Sequence, residues 1–416
     1  MDSVAILSFE GPDRYSMVGG LGTRVTELAQ ALADLGRPTD LFFVGDPQLP
    51  AVEEPAPRLR YRRWCQWISA YHRASVYDGE RGKVDDFSLS IPPVVVDEIV
   101  APAVARGARA LVLAEEWQTA RATIELDRLL RARGLRDAAT ILWNANNTYG
   151  FDAIDWGALR RCATITTVSK YMKFELSLRG QQPLVIPNGI PARLLDGPPA
   201  KLVHDWRTSL AARPLLVKVG RFDPDKRWMQ AVDAVAELHD AGLGARLVVR
   251  GGREPYGAAV FERARARGLR VGEIVADAGD PASLFTALAT SSDDVINLRA
   301  FLEADMLFAL YAAADAVLAN SGKEPFGLVG LEVMAAGGLA VCGATGEEYA
   351  EPFVNAIVVD TEDGRELASY LRDLVDDPDA AVAMRHAGHE TAARYTWPTV
   401  IHALERKMVF AASVQG

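Results

Sequence analysis

The stretch Asn320–Gly338, NSGKEPFGLVGLEVMAAGG, constrains the fold more than any other part of the chain. The apolar run 316–319 before it predicts a short buried strand. Pro325 and Gly327 forbid a continuous helix across the following turn, but apolar residues then recur at helical spacing until a Gly-Gly pair ends the helix. A strand, a loop and a helix start in this order are typical of the edge where open parallel α/β sheets bind ligands.

Two carboxylates, Glu324 and Glu332, lie eight positions apart in this stretch. The free N–H groups at a helix start bind anions, phosphate above all. One carboxylate can therefore accept hydrogen bonds from one set of hydroxyls and the other from a second set, with a phosphate between them, as a sugar nucleotide requires. The alternative is that both glutamates are only favourable partners of the helix dipole.

Length and charge limit the classes of protein to consider. A chain of 416 residues is too long for one ordinary core and predicts two domains. The formal net charge of −10 argues against a nucleic-acid partner, for which a basic surface is expected. The six histidines form no H-E-x-x-H pair and the three cysteines no C-x-x-C pair, so no metal site is predicted.

The first residues and the apolar runs predict the compartment. VAILSF follows Met1-Asp2 directly and is predicted to be a first strand rather than a signal peptide. No apolar run approaches the roughly 20 residues that span a bilayer, so no transmembrane segment is predicted. The protein is expected to be cytoplasmic, with buried cysteines that form no disulfide.

A glycine-rich loop follows the first predicted strand, Val4–Phe9. The loop is MVGGLG, residues 17–22, and a helix is predicted from Thr23 to a stop at Gly36. Strand, glycine loop and helix form the Rossmann-like unit that brings backbone N–H groups up to a phosphate or a sugar. Alternatively, the glycines serve only a tight strand-to-helix turn.

Two further stretches of the first half allow two interpretations each. The basic aromatic stretch Arg58–Arg73 is either a contact surface for an anionic acceptor or a membrane, or a solvated strand and helix face with its aromatic side chains turned inward. Glu115 and Glu116 follow a predicted strand, Ala110–Ala114, and belong either to a site or to a helix cap.

The pattern of strands and helices restarts after residues 187–200, which are rich in Pro and Gly and predict a linker. Strand and helix alternate on both sides of it. The fold class predicted is α/β, with two Rossmann-like, doubly wound domains, 1–196 and 197–395, that face a cleft between them.

A basic loop, GRFDPDKR, follows the first predicted strand of the second domain. Arg221 and Lys226 are expected at the carboxyl edge of the sheet, where they can face the helix start at Gly327. Fixed cations there stabilise a departing diphosphate more in the transition state than in the ground state. The alternative is a surface loop in which both cations neutralise Asp223 and Asp225.

Several motifs together resemble the retaining family 4 glycosyltransferases of the GT-B fold. They are GGLGTRV, PLVIPNGI, GRFDPDK and EPFGLVGLEVMAAGG with its E-x7-E spacing; EEWQTA resembles the HDWQTA of glycogen and starch synthases. The resemblance implies transfer of a hexose from a nucleotide-diphosphate sugar to an acceptor hydroxyl with retention of configuration and no obligatory metal or cofactor. UDP-, ADP- and GDP-hexoses all fit the motifs. The resemblance also implies that a last helix, in residues 396–416, crosses back to the first domain.

The resemblance assigns roles to individual residues. Arg221 and Lys226 would hold the diphosphate, Glu332 the ribose and Glu324 the hydroxyls of the donor sugar. Glu115, where many relatives have histidine, is a candidate for positioning or proton handling. The other implied donor contacts are Gly19, Gly20, Arg250, Gly251, Arg299, Phe301, Phe326, Gly327 and Leu328.

The sequence also departs from these relatives. Met17-Val18 stands where glycogen synthases have Lys-Thr, and Gly346-Glu347 stands where many relatives have Gly-Gly. The donor sugar or its orientation is therefore expected to differ from that of a polymer synthase. Two other classes of protein fit the architecture: a sugar-nucleotide epimerase, and a catalytically silent protein that binds sugar nucleotides.

Overall fold

The computed structural model describes residues 3–211, 214–276 and 280–415, with side chains described up to residue 413. Contacts between Cα atoms divide the chain into two compact units. Unit 1 consists of Met1–Pro191 and Tyr395–Gly416, and unit 2 is the single segment Ala192–Arg394. Residues 192–196, predicted in the first domain, thus lie in unit 2.

Unit 1 is built on an eight-stranded sheet. Its strands are β1 (Ser3–Leu7), β2 (Thr39–Val44), β3 (Val52–Ala56), β4 (Leu59–Trp64), β5 (Ala110–Glu115), β6 (Ala139–Ala145), β7 (Thr164–Thr167) and β8 (Leu184–Val185). They lie in the order β3-β4-β2-β1-β5-β6-β7-β8, and only the edge pair β3–β4 is antiparallel. The central strands are continuous apolar runs because helices cover both faces of such a sheet.

In the described part of the chain, seven α-helices of unit 1 precede the crossing into unit 2, and three of them follow β4 in succession. They are α1 (Gly20–Asp34), α2 (Gln66–Ser69), α3 (Glu80–Val94), α4 (Ala101–Ala105), α5 (Ala120–Ala132), α6 (Trp156–Cys162) and α7 (Lys170–Ser177). The side chain of Ser169 caps α7, because it accepts a hydrogen bond from the N–H of Met172 at 3.1 Å.

Unit 2 repeats the architecture with a seven-stranded, fully parallel sheet. Its strands are β9 (Leu215–Val219), β10 (Arg246–Arg250), β11 (Val271–Ala276), β12 (Val295–Ala300), β13 (Ala316–Ala319), β14 (Ala340–Cys342) and β15 (Ile357–Val358), in the order β11-β12-β10-β9-β13-β14-β15. Its helices are α8 (Ala200–Leu210), α9 (Trp228–Asp240), α10 (Tyr256–Ala266), α11 (Pro281–Thr290), α12 (Ala304–Ala313), α13 (Leu328–Ala335), α14 (Gly364–Asp376) and α15 (Pro378–Ala392).

The last helix, α16 (Trp397–Gln415), belongs to unit 1. One face of it enters the same apolar core as Val4 and Ile6 of β1 and Val25 of α1. The core residues of α16 are Trp397, Val400, Ile401, Leu404, Met408 and Ala411. Spacings of three and four residues place these side chains on one helical face.

The helical run Glu80–Ala105 bears on the expectation that the chain has no transmembrane segment. It comprises α3, a π-helical segment (Val95–Val100) and α4, and with a mean hydropathy of 1.5 its most apolar window is long and apolar enough to cross a membrane. The sequence did not predict such a run. Half of that window is buried inside the protein, with Phe87 and Ile91 in the core, as is usual for the core helix of a globular domain.

The predicted fold class is confirmed. The bounds of β13 agree with the predicted strand 316–319. The start of α1 differs, because the helix begins at Gly20 rather than Thr23. The reason is a cap on its first turn: the carboxylate of Glu10, which lies outside the helix, accepts from the N–H groups of Gly19 and Gly22.

Candidate functional site

Two loops meet at the carboxyl edge of the unit 2 sheet. β9 and β13 are parallel neighbours, so both strands end at the same edge. The loop after β9, residues 220–227, and the loop after β13, residues 320–327, are joined by a backbone hydrogen bond from Gly322 to the carbonyl of Asp225 at 2.7 Å. The basic loop and the acidic motif that the sequence singles out are therefore adjacent.

An ion pair links these two loops. Lys226 Nζ lies 2.5 Å from Glu324 Oε2, and the two side chains are 30% and 19% exposed. The pair is therefore accessible to a ligand yet partly shielded from water, where an ion pair is stronger than at a bare surface. Two of the residues predicted to act on the donor thus contact each other.

The turn before α13 is held in one conformation. Gly327 is the residue before the helix and has a φ of 80°, in the left-handed region that favours glycine. The hydroxyl of Tyr349 donates to the carbonyl of Gly327, and the hydroxyl of Thr345 accepts from the N–H of Glu324 at 2.9 Å. The first N–H groups of α13 are thereby held next to the Lys226–Glu324 pair.

A cation that the sequence did not single out lies beside the pair. Arg227 adopts a φ of 52° at the start of α9, and its side chain is 12% exposed. Its Nε and one terminal nitrogen have no hydrogen-bond partner within the described ranges, although Nε is 3.7 Å from a carboxylate oxygen of the exposed Glu362. Nε of Arg250, at the end of β10, is likewise unpaired there. Buried guanidinium nitrogens without partners are suited to an anionic ligand.

A second unpredicted cation is buried under the site. Lys218 of β9 donates to Asn320 Oδ1 at 2.6 Å and to the carbonyl of Leu318 at 3.0 Å. Burial, followed by the charges of Lys226 and Arg227, lowers the pKa of Lys218 well below its usual value. The strand LLVKV gave no signal for this role, because only the fold shows that Lys218 points inward.

Glu347 is an acid without an obvious partner near the same turn. It is 5% exposed, and neither carboxyl oxygen has a hydrogen-bond partner of good geometry in the described part of the chain. Burial, and then the charge of Glu324, raises the pKa of Glu347 from 4.5 to about 8.

The remaining predicted donor contacts of unit 2 occupy the same edge or its flanks, whereas Gly19 and Gly20 lie at the start of α1 in unit 1. Arg250 ends β10 and Gly251 follows it; Arg299 lies on the neighbouring strand β12, 3.3 Å from a carboxylate oxygen of Glu273. Arg221 and Phe301 are exposed, Phe326 is buried, and Glu332 is half-buried in the second turn of α13. Leu328 is the first residue of that helix.

In unit 1, Glu115 is the centre of a buried network. Its side chain is 1% exposed and pairs with Arg24 of α1, from which it accepts bonds of 3.2 and 3.3 Å. Asn144 and Asn146 donate to it at 2.9 and 2.8 Å. Arg24 also donates to Asn188, so the GGLGTRV and PLVIPNGI motifs meet here. The carboxylate of Glu115 thus accepts four hydrogen bonds, and its catalytic role stays a prediction.

Glu116, next to it, has an unusual backbone conformation. Its φ of 67° and ψ of 168° lie in a region that L-residues seldom adopt, and its side chain is buried. One carboxyl oxygen accepts from the N–H of Asn146 at 2.6 Å. Burial is the main cause that raises the pKa of Glu116 from 4.5 to about 8.

The glycine-rich loop of unit 1 already holds a carboxylate. Oε2 of Glu10 accepts from the N–H groups of Val18, Gly19 and Gly22 at 3.3, 3.0 and 3.1 Å. Its Oε1 accepts from the hydroxyl of Tyr77 at 2.5 Å. This is the cap that lets α1 begin at Gly20. The sequence signal was an acid just after the first strand and before the glycines, and it was missed.

The cysteines are as expected. Cys65, Cys162 and Cys342 are buried free thiols. In residues 3–211, 214–276 and 280–415, no three His, Cys, Asp or Glu side chains are grouped so that they could hold a metal ion.

Comparison with known proteins agrees with this geometry. Residues 205–391, nearly all of unit 2, match the family "Glycosyl transferases group 1". The chain is also similar to the 2-deoxystreptamine glucosyltransferase of Streptomyces kanamyceticus, at 24% identity over 89% of this chain and 93% of that protein.

Two solved structures share the fold over its whole length. One is the sucrose-phosphate synthase of Thermosynechococcus elongatus, with a TM-score of 0.70 at 20% identity, covering 99% of this chain and 100% of that one. The other is the catalytic domain of starch synthase IV from Arabidopsis thaliana bound to ADP and acarbose, with a TM-score of 0.70 at 16% identity and 99% of both chains covered. The expected GT-B fold is therefore confirmed.

Proposed function

We propose that this glycosyltransferase of the GT-B fold transfers a hexose from a nucleotide-diphosphate sugar to an acceptor hydroxyl, with retention of configuration and without an obligatory metal. The observation that carries the proposal is the Lys226–Glu324 pair at the start of α13, 2.5 Å between its charged atoms. A cation and a carboxylate in contact at a helix start match the two chemistries of the donor, its diphosphate and its sugar hydroxyls.

The cations of this edge have a task in the chemical step. As the bond between sugar and diphosphate breaks, negative charge accumulates on the leaving phosphate. Lys226, Arg221 and the N–H groups of α13 then interact more strongly with the transition state than with the intact donor. Arg227, two of whose nitrogens have no hydrogen-bond partner among the described residues, supplies a further fixed cation that the sequence motifs did not indicate.

Other groups orient the donor. In the proposal, Glu324 accepts from the sugar hydroxyls, Glu332 accepts from the ribose, and the backbone of residues 326–328 lines the sugar and phosphate. The base lies against the Arg250-Gly251 and Arg299–Phe301 stretches. In unit 1, Gly19 and Gly20 stay proposed contacts of the donor or acceptor, and Glu115 is proposed to position groups through its own network.

The acceptor is proposed to be rich in hydroxyl or ammonium groups. In unit 1, Oε1 of the buried Gln118 and Oδ1 of Asn146 have no hydrogen-bond donor among the described residues. Acceptor oxygens of this kind suit ligand O–H or N–H groups. The Streptomyces kanamyceticus relative is named a 2-deoxystreptamine glucosyltransferase, so 2-deoxystreptamine is the first acceptor to test. We also propose a cytoplasmic location.

Thermal-shift measurements with UDP, ADP and GDP test the donor site first, because a ligand that binds only the folded protein raises its melting temperature. The matching hexose nucleotides are then incubated with and without 2-deoxystreptamine and simple sugars. Release of nucleoside diphosphate only when an acceptor is present supports transfer. A changed sugar on an intact donor would instead indicate an epimerase, and binding without turnover a silent protein.

A further inference from the structure

Glu347 packs directly against the turn that the proposed function assigns to the donor. Its Cγ occupies the space where a side chain at Gly327 would begin, and Gly346 before it packs against the carbonyls of Glu324 and Pro325. The carboxyl group is therefore buried beside the start of α13 and next to the residue assigned to the sugar hydroxyls.

The charges around Glu347 come from four elements. Glu324 on the loop after β13 faces it with like charge, and Lys226 on the loop after β9 faces it with opposite charge. The thiol of Cys342 on β14 and the phenol of Tyr349 also interact with it. The backbone N–H groups of Gly343 and of Glu347 itself favour its ionised form, but burial and Glu324 outweigh them, so that the pKa rises to about 8.

A buried carboxyl group without a hydrogen-bond partner is costly and therefore uncommon in folded proteins. Neither carboxyl oxygen of Glu347 has a hydrogen-bond partner of good geometry in the described structure. A carboxylic acid that keeps its proton can donate one hydrogen bond as well as accept others, whereas a carboxylate can only accept. This group therefore suits a ligand hydroxyl better than a phosphate oxygen, which an ionised Glu347 would repel.

We propose that Glu347 is a further specificity-determining residue of the donor site, whose carboxyl group hydrogen-bonds a hydroxyl of the transferred sugar beside Glu324. This inference rests on the proposed function and adds a residue to it.

The test measures binding of UDP-glucose and of UDP by calorimetry between pH 6 and about 9.5. If the thermal-shift measurements select adenine nucleotides, ADP-glucose and ADP are used instead. In the unaltered protein, affinity for the sugar nucleotide should fall above a pH of about 8, while affinity for the diphosphate changes less. Glu347→Gln keeps a hydrogen-bond donor but removes the group that titrates near pH 8. At neutral pH its affinity for the sugar nucleotide should stay within ~3-fold of that of the unaltered protein. Above pH 8 its affinity should not decline.

Glu347→Ala should weaken the sugar nucleotide by ~10-fold or more and the diphosphate by less, the usual effect of losing one buried hydrogen bond. Glu348→Gln, a substitution at the exposed neighbour, is the matched control and should change neither affinity. The inference is overturned if Glu347→Gln and the unaltered protein share one pH profile, or if Glu347→Ala weakens both ligands equally. Failure of the unaltered protein to bind any sugar nucleotide would instead overturn the proposed function.

Discussion

The carboxyl edges of the two sheets share an architecture but differ in how their charges are satisfied. In unit 1, Glu10 accepts three backbone N–H groups and Glu115 is paired with Arg24. In unit 2, nitrogens of Arg227 and both oxygens of Glu347 have no hydrogen-bond partner in the described ranges. We therefore propose that the charges of unit 1 stabilise the fold, whereas those of unit 2 are held for a ligand. Substitutions should therefore reduce stability in unit 1 and ligand binding in unit 2.

The largest effect is expected at Arg24. Arg24→Ala leaves the carboxylate of Glu115 buried without its cation, which typically costs about 3–5 kcal/mol of unfolding free energy. Denaturant unfolding followed by circular dichroism measures the loss. The double variant Arg24→Ala, Glu115→Gln should recover part of it, because the buried charge is then removed. A loss below about 1 kcal/mol for the single variant would contradict the structural role.

At Lys226 the expected loss is of activity rather than of stability. Lys226→Ala should lower kcat/KM by about 10²–10³, the usual effect of removing one group that stabilises transition-state charge. The melting temperature should change by only a few degrees, since the ion pair is partly exposed. Lys201→Ala, at an 83% exposed lysine of α8, is the control. Unchanged kinetics would remove the assigned role.

Glu10 sharpens the comparison, because its carboxylate occupies a position where an anion could bind. Glu10→Ala should cost about 1–2 kcal/mol, as for the loss of a helix cap. Inorganic phosphate should then raise the melting temperature of the variant more than that of the unaltered protein, because the freed N–H groups bind anions. Equal responses to phosphate would show that these N–H groups are not an anion site.

The smallest expected effect is a change in pH dependence at Glu116. Its pKa is about 8 in the folded protein and 4.5 ordinarily, so the folded state binds the extra proton between these values. Stability should therefore fall as pH rises from 4.5 to 8. Glu116→Gln should reduce the drop in melting temperature over this window by a few degrees, and Glu54→Gln at an exposed site should not. An unaltered drop would contradict the buried, protonated state.

Much of the fold was predictable because a parallel sheet imposes simple rules. Apolar runs of four to six residues gave β9 and β13, and glycines marked the end of the helix after Glu332. Since parallel strands end at one edge, the meeting of Lys226 and Glu324 followed from their positions after two strands. The structure places them in contact although they are 98 residues apart.

The site residues that the sequence did not predict are those whose role depends on burial in the folded protein. Lys218 lies in an apolar strand, and nothing local indicates that its ammonium group is enclosed by Asn320 and Leu318. Similarly, Glu10 is bound by backbone N–H groups of the glycine-rich loop. Arg24 pairs with Glu115, which is 91 residues away in sequence. Arg227 escaped notice because its left-handed φ, which aims its side chain, is a property of the folded loop.

The membership of α16 in unit 1 has a consequence for biosynthesis. During translation, residues 192–394 emerge from the ribosome as one uninterrupted segment, so unit 2 can complete its fold first. The amino-terminal part, although made earlier, must wait for Trp397 to Ala411 before its apolar core is filled. Until residues 397–411 have been made, the nascent chain therefore exposes apolar surface of unit 1, and a chaperone can bind that surface.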